Sequence, residues 1–215
     1  MKPLNKYIQE KLIINKDYRD NAIVVKSFDE LRKIIKDRYN KLGPGTKKYP
    51  INFNDIDVSN IDSFCTMLKG IFYETKFKYI DVSDWDVSNV KSMRRMFAKC
   101  EELKSVGNIS DWDVSNVTDM SSMFNECKEL ESVGDISKWN VSNVTDMTFM
   151  FDECENFNQD LSKWNVSSVI DMGYMFCDCK SFNQDLSKWN VLSVKNNLFM
   201  FDGCPIKNEY KPKFK

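Results

Sequence analysis

The chemistry open to this chain is set by 7 cysteines, 32 aspartates and glutamates, and the complete absence of histidine. Without imidazole there is no ordinary general base for a Ser or Cys nucleophile, and the commonest zinc ligand is missing. Catalysis would fall to lysine or to paired carboxylates of the kind that cleave glycosides. Asp119, Asp146 and Asp171 recur at a regular interval; Asp86 and Asp113 form a second series, continued by Asn140, Asn165 and Asn190. A catalytic pair usually occurs once in a chain, whereas these recur because a whole unit recurs, so they read first as turn formers and solvated edge charges. Stacked acidic loops can bind calcium, but the Gly-rich nonapeptide that does so is absent. Cys100, Cys127, Cys154, Cys179 and Cys204 share the regularity and sit beside Met and Phe, where a free thiol behaves as a small apolar group. Neither Cys177 with Cys179 nor the separate Cys65 has the neighbouring ligands a metal needs. The expectation is no catalytic residue, no metal and no cofactor.

The unit behind these series is marked by tryptophan. Trp85, Trp112, Trp139, Trp164 and Trp189 are spaced by 27, 27, 25 and 25, and each ladder cysteine follows its Trp by fifteen residues. The unit reads W-[DN]-V-S-[NS]-V-x-D-M-x-x-M-F-x-x-C. A worn sixth copy precedes it: Asp57 to Ile61 aligns with Asp86 to Val90, placing Ile56 at the Trp position, Phe64 and Met67 at the Met positions and Ile71 at the Cys position. The last copy is eroded as well, with Asn197 replacing the first Met. One such unit cannot bury its Trp, Val, Met, Phe and Cys alone, but stacked copies share them in a continuous column. The fold expected is α/β, a leucine-rich-repeat-like solenoid of about six repeats of 25–29 residues, built from short strands and short helical turns. A strand is expected between Cys and Trp and another at Val-Thr-Asp-Met. The Met-x-x-Met-Phe block fits a helical turn, its two Met residues lying three apart. Asn and Ser after each Trp are expected to bond turn backbone, and the two extra residues near Gly107 and Gly134 to bulge on one side.

The string Phe157 to Ser167 (F-N-Q-D-L-S-K-W-N-V-S), followed by Met172, Met175, Phe176 and Cys179, resembles the BspA-like leucine-rich-repeat family, in the Trp/Met-Phe/Cys variant found in mycoplasma lipoprotein-associated proteins. The resemblance covers about residues 51–204. It implies a curved solenoid with a strand-lined face, in a family whose members are commonly surface or secreted proteins that bind host or bacterial proteins. This chain departs from that pattern in having neither a signal peptide nor a lipobox cysteine near its start, and a head the family does not explain. The opening Leu4 to Glu10 is similar to those of bacteriophage-encoded proteins from gut bacteria.

Three regions follow. Residues 1–50 form a head with 13 Lys or Arg against 6 Asp or Glu, residues 51–204 the repeat body with 14 against 25, and residues 205–215 a basic tail. In the head, a helix over 4–14 with Leu4, Ile8 and Leu12 on one side, a strand over Ala22 to Phe28, and a second helix opened by Ser27 and Glu30 and stopped at Gly43-Pro44-Gly45 make a small α/β cap for the first repeat. The acidic body repels phosphate backbones, so nucleic acid is a poor ligand. No apolar run approaches the roughly 20 residues of a membrane span. The function expected is a non-catalytic protein–protein interaction module in the cytoplasm, its partner another protein bound through exposed positions: Gln159, Lys163, Gln184 and Lys188, with the acidic edge Asp119, Asp146 and Asp171. A surface adhesin exported by another route is the second reading, and a carboxylate hydrolase the third.

Overall fold

The structure, a computed structural model, describes residues 22–64, 70–72 and 75–215. The helix expected over 4–14, Cys65 and Met67 lie outside these residues. Regular secondary structure is sparse: strands β1 (Ile23–Val24), β2 (Ile51–Asn52), β3 (Ile56–Asp57) and β4 (Ile80–Asp81), the helix α1 (Phe28–Leu42), and short 3-10 turns at Ile136–Lys138 and Asn208–Tyr210. All pairing is parallel, with Ile23 opposite Ile56 in β1–β3 and Ile51 opposite Ile80 in β2–β4.

The head closes one end of the repeats. Ser27 caps α1 by accepting from the Glu30 N–H at 3.2 Å, while the Glu30 carboxylate reaches back to the Lys26 N–H rather than to that of Ser27. Gly43, at φ 76°, ends the helix with its N–H on the Tyr39 carbonyl. Leu31 and Ile35 are buried, Tyr39 meets Phe77 edge-on at 4.9 Å, and Leu42 at the helix end is 56% exposed. Arg38 grips Asp55 through both guanidinium nitrogens at 2.7 and 2.9 Å and lies over the Phe53 ring, fixing the helix to the first copy. The strand expected over Ala22 to Phe28 is shorter, because the Ser27 cap already commits Phe28 to the helix.

Beyond the head, single parallel bridges link successive copies: Ser63 to Ser92, Asp119, Asp146, Asp171 and Asn196 in turn along one line, and Tyr79 to Ser105 and Ser132 along another. Where strands were expected, β4 pairs over two residues and in the later copies pairing stops at one. The side chains repeat in columns inside this stack. Phe72, Phe97, Phe124, Phe151, Phe176 and Phe201 lie ring on ring at 5.1–5.7 Å, and Trp112, Trp139 and Trp164 at 6.3 and 6.4 Å. An indole buries about 150–250 Å². At about 25 cal/mol per Å², each contributes on the order of 4–6 kcal/mol before chain entropy is set against it.

Each indole is also hydrogen-bonded. Trp85 Nε1 donates to the Phe53 carbonyl, Trp112 to Val82, Trp139 to Ile109, Trp164 to Ile136 and Trp189 to Leu161, at 2.8–3.2 Å and always one copy back. Asn89, Asn116 and Asn143 donate in the same direction to the carbonyls of Ser59, Ser88 and Ser115.

The Met-x-x-Met-Phe block is not helical. In each copy the residue before the second Met (Arg95, Ser122, Phe149, Tyr174, Phe199) and the residue before the Cys (Lys99, Glu126, Glu153, Asp178, Gly203) have φ between 53° and 64°. Tight turns such as Met96 N–H to Met93 O and Cys100 N–H to Phe97 O alternate with bonds to the next copy: the N–H groups of Met93, Arg95, Phe97 and Lys99 donate to Asp119, Ser121, Met123 and Asn125. An α-helix would have spent those donors on its own carbonyls. The left-handed residues cost about 1–2 kcal/mol each, and in return every second peptide lies along the stack. Spacing of three joins the ends of a turn as well as the faces of a helix, so the two Met residues do not distinguish them.

The worn copy is also displaced from its expected register. Phe72 stacks on Phe97, and Cys100 Sγ approaches the Phe72 carbonyl as Cys127 approaches that of Phe97. The Thr75 N–H closes a turn on Phe72 O as Cys100 does on Phe97 O. Buried Thr75, not Ile71, therefore fills the Cys position, and its hydroxyl is satisfied by the Phe72 carbonyl at 2.6 Å.

Candidate functional site

The stack sorts its side chains into those the interior consumes and those left outside. The ladder residues Trp85, Trp112, Trp139, Trp164 and Trp189 are buried, as are Cys100, Cys127, Cys154 and Cys179, while Cys204 on the last copy is half-buried. The thiols donate to the Phe carbonyl of the preceding copy, at 3.1 Å for Cys127, 3.0 Å for Cys154 and 2.9 Å for Cys179. Burial pushes Cys100 up to about 12 and the next three well above the usual thiol range. A thiol so held is neither nucleophile nor metal ligand.

The Asp119, Asp146 and Asp171 series is half-buried and used locally. Asp119 Oδ1 accepts from the Ser121 N–H at 2.9 Å and its hydroxyl at 2.6 Å; Asp146 does the same with Thr148. Asp171 accepts from the Gly173 N–H and from the Asn196 amide, which lies 3.0 Å from each carboxylate oxygen. These are side-chain-capped turns repeated down one edge. The same geometry recurs at Asp113, Asp135 and Asp185, where a serine hydroxyl bond and then the serine N–H hold the carboxyl below its ordinary range.

Gln159 and Gln184, expected to be exposed, are half-buried. Gln184 Nε2 donates to Asn158 at both its backbone and side-chain oxygens. Gln159 Nε2 reaches Ser132 Oγ at 3.5 Å, and its buried Oε1 has no partner among the described residues. Copies 25 residues apart set these amides one above another, so each folds against the copy before it. Lys163 and Lys188 are exposed beside them. No hydrogen bond or ion pair among the described residues joins this group to the Asp edge.

A third surface carries charge in alternating sign. Lys128 lies between Glu101 and Glu153, and Lys104 between Glu129 and Glu131, at 3.2–3.8 Å. Such exposed pairs add little stability singly.

Two features escape a reading of the sequence. Asp152 is buried, and burial raises its carboxyl to about 6; Asn125 Nδ2 donates to it at 3.0 Å. Its column runs Ala98, Asn125, Asp152, Cys177, Asp202. An acid alternating with Ala, Asn and Cys at one repeat position is the signal that could have found it. The second is an aromatic ridge at the left-handed positions, where Phe149 stacks on Tyr174 at 4.6 Å and Phe199 meets Tyr174 at a tilt, 5.1 Å away.

No helix among the described residues is long and apolar enough to cross a membrane. Comparison with curated proteins and with solved structures found no match. The family model described as "Mycoplasma protein of unknown function, DUF285" matches residues 40–134 and, overlapping, 102–213. Those two matches span the stacked copies from the end of α1 to the basic tail, so this chain belongs to the DUF285 family.

Proposed function

We propose that this chain is a non-catalytic interaction module: a leucine-rich-repeat-like solenoid of the BspA-like kind that binds another protein through its outer surface, inside a bacterial cell. The observation that carries the reading is the division of labour within each copy. Trp, Met, Phe and Cys are spent on neighbouring copies, and even the indole and thiol hydrogens are committed to carbonyls of the copy before. What differs from copy to copy and stays in contact with solvent is the outer skin, and in a repeat stack that skin is where specificity is written. Buried, reduced ladder thiols suit a reducing compartment.

Affinity capture from the native cell tests this. The wild-type chain is expected to retain a partner that the combined Lys163→Glu and Lys188→Glu variant loses, with both proteins melting alike since these side chains are exposed. Recovery of no protein by the wild type, or of the same protein in equal amount by both, would remove the reading.

A further inference from the structure

The axial hydrogen bonds in the turn-rich block all point the same way, from the N–H of one copy to the C=O of the next. Their peptide dipoles therefore add along the stack, as they do along a helix, and each bond polarises the one after it. At the last copy the four donors are the N–H groups of Asn197, Phe199, Phe201 and Gly203, and no acceptor among the described residues meets any of them.

The same edge is where the repeat changes its exterior. Leu198 stands where earlier copies have Arg94, Ser121, Thr148 and Gly173, and Leu192 where they have serine. Leu192, Leu198 and Phe199 are 62%, 56% and 49% exposed. The tail folds alongside, so that Lys211, Pro212 and Phe214 face Phe199 and Phe201 across a groove of about 400 Å³, with the Asp202 carboxylate also on its wall. The Lys211 ammonium lies 5.8 Å from the Phe201 ring centre, and the tail carries Lys207, Lys211, Lys213 and Lys215 against the single Glu209.

We propose that this end groove takes an acidic segment of a partner protein, laid along the last copy as a further rung that winds through the same turns. Alternate backbone carbonyls of the segment accept from the four N–H groups, its apolar side chains cover Leu198 and Phe199, and its carboxylates face Lys211. A row of four donors at alternate residues calls for the successive carbonyls of a polypeptide rather than a single small anion. A second copy of this chain is a poor occupant, since two such edges would oppose donors to donors. The inference rests on the interaction reading above and adds the end of the stack, as a second contact, to the flank that carries Lys163 and Lys188.

The test uses the full chain and an eight-residue peptide of alternating Leu and Asp, with amide hydrogen exchange followed residue by residue. In the free protein the Phe199, Phe201 and Gly203 amides are expected to exchange fast and those of Tyr174 and Phe176 slowly. The peptide is expected to slow the first group at least tenfold. Binding is expected to weaken at least tenfold when Lys replaces Asp in the peptide, or when the chain carries Leu198→Thr with Phe199→Ser, residues the repeat itself uses at these positions. Unchanged exchange at peptide concentrations up to about 1 mM, or equal binding by the Lys peptide or the double variant, overturns the proposal. If those results accompany a cellular partner that depends on Lys163 and Lys188, the interaction reading stands and only the end groove falls.

Discussion

The indole N–H of Trp139 donates to the backbone carbonyl of Ile109, thirty residues earlier, at 3.0 Å, while its ring lies parallel to that of Trp112 at 6.3 Å. One side chain thus supplies both the apolar contact and the polar stitch between two copies. Trp139→Ala is expected to cost about 3–5 kcal/mol. Trp139→Phe keeps most of the apolar area but removes one of the two hydrogen bonds that the Ile109 carbonyl accepts, the Trp112 N–H at 3.3 Å remaining, at about 0.5–1.5 kcal/mol. Urea denaturation followed by far-ultraviolet circular dichroism separates the two, and a pair of variants as stable as the parent would mean the indole is not core.

Glu126, with φ 58°, occupies the left-handed position that Gly203 holds in the last copy. Glycine meets no steric penalty there, though it gains chain entropy when unfolded. Glu126→Gly is expected to fall within about 1 kcal/mol of wild type on these grounds, and Glu126→Val, β-branched and intolerant of positive φ, to lose more than about 1 kcal/mol. The ordering Gly above Val in thermal melting is the result to look for; the reverse would place this residue in ordinary helical backbone.

Asp152 makes stability depend on pH in an unusual direction. Its folded carboxyl, raised to about 6 from 3.8, prefers to hold its proton, so its contribution is full below about pH 4 and is lost as pH rises toward 6. Asp152→Asn, which can still accept from the Asn125 amide, is expected to flatten that part of the stability profile and to add about 1–2 kcal/mol at pH 7. Urea midpoints at a series of pH values read this directly, and a variant whose profile falls in parallel with the parent would assign the slope to other groups.

Thiol accessibility should follow position along the stack. Cys204 is half-buried at the open end and Cys100, Cys127, Cys154 and Cys179 are enclosed, with burial raising all five thiols. Alkylation at neutral pH, located by mass spectrometry, is expected to modify Cys204 first and the others only in denaturant. Early modification of Cys127 or Cys154 would contradict the enclosed column.

The columns are legible in the amino-acid sequence because they depend on period alone: a Trp that returns every 25 or 27 residues must meet itself in any stacked arrangement. Backbone hand is not legible in that way. Met93 and Met96 are three apart in a helix and also at the two ends of a turn, and only the donor count, which gives Arg95 and Lys99 partners in the next copy, decides between them. The worn copy misleads for a related reason, since Ile71 is as apolar as a Cys-position residue ought to be, while Thr75 is not. Gln159 and Gln184 look outward on paper because amides usually do. Their inward folding onto Ser132 and Asn158 depends on a neighbouring layer that composition does not describe. The end groove lies further still from the sequence, because it forms only when the tail returns to lie beside Phe199.

Bonds that always join equivalent atoms of adjacent copies have an evolutionary corollary. A tandem duplication or loss of 25 residues in the later half, with breakpoints anywhere inside the unit, leaves every Trp, Phe and Cys facing its own kind. Copy number in this lineage can therefore drift by unequal recombination without redesign of the interior, while the first and last copies, whose residues depart from the repeated unit, are the parts that selection must hold fixed.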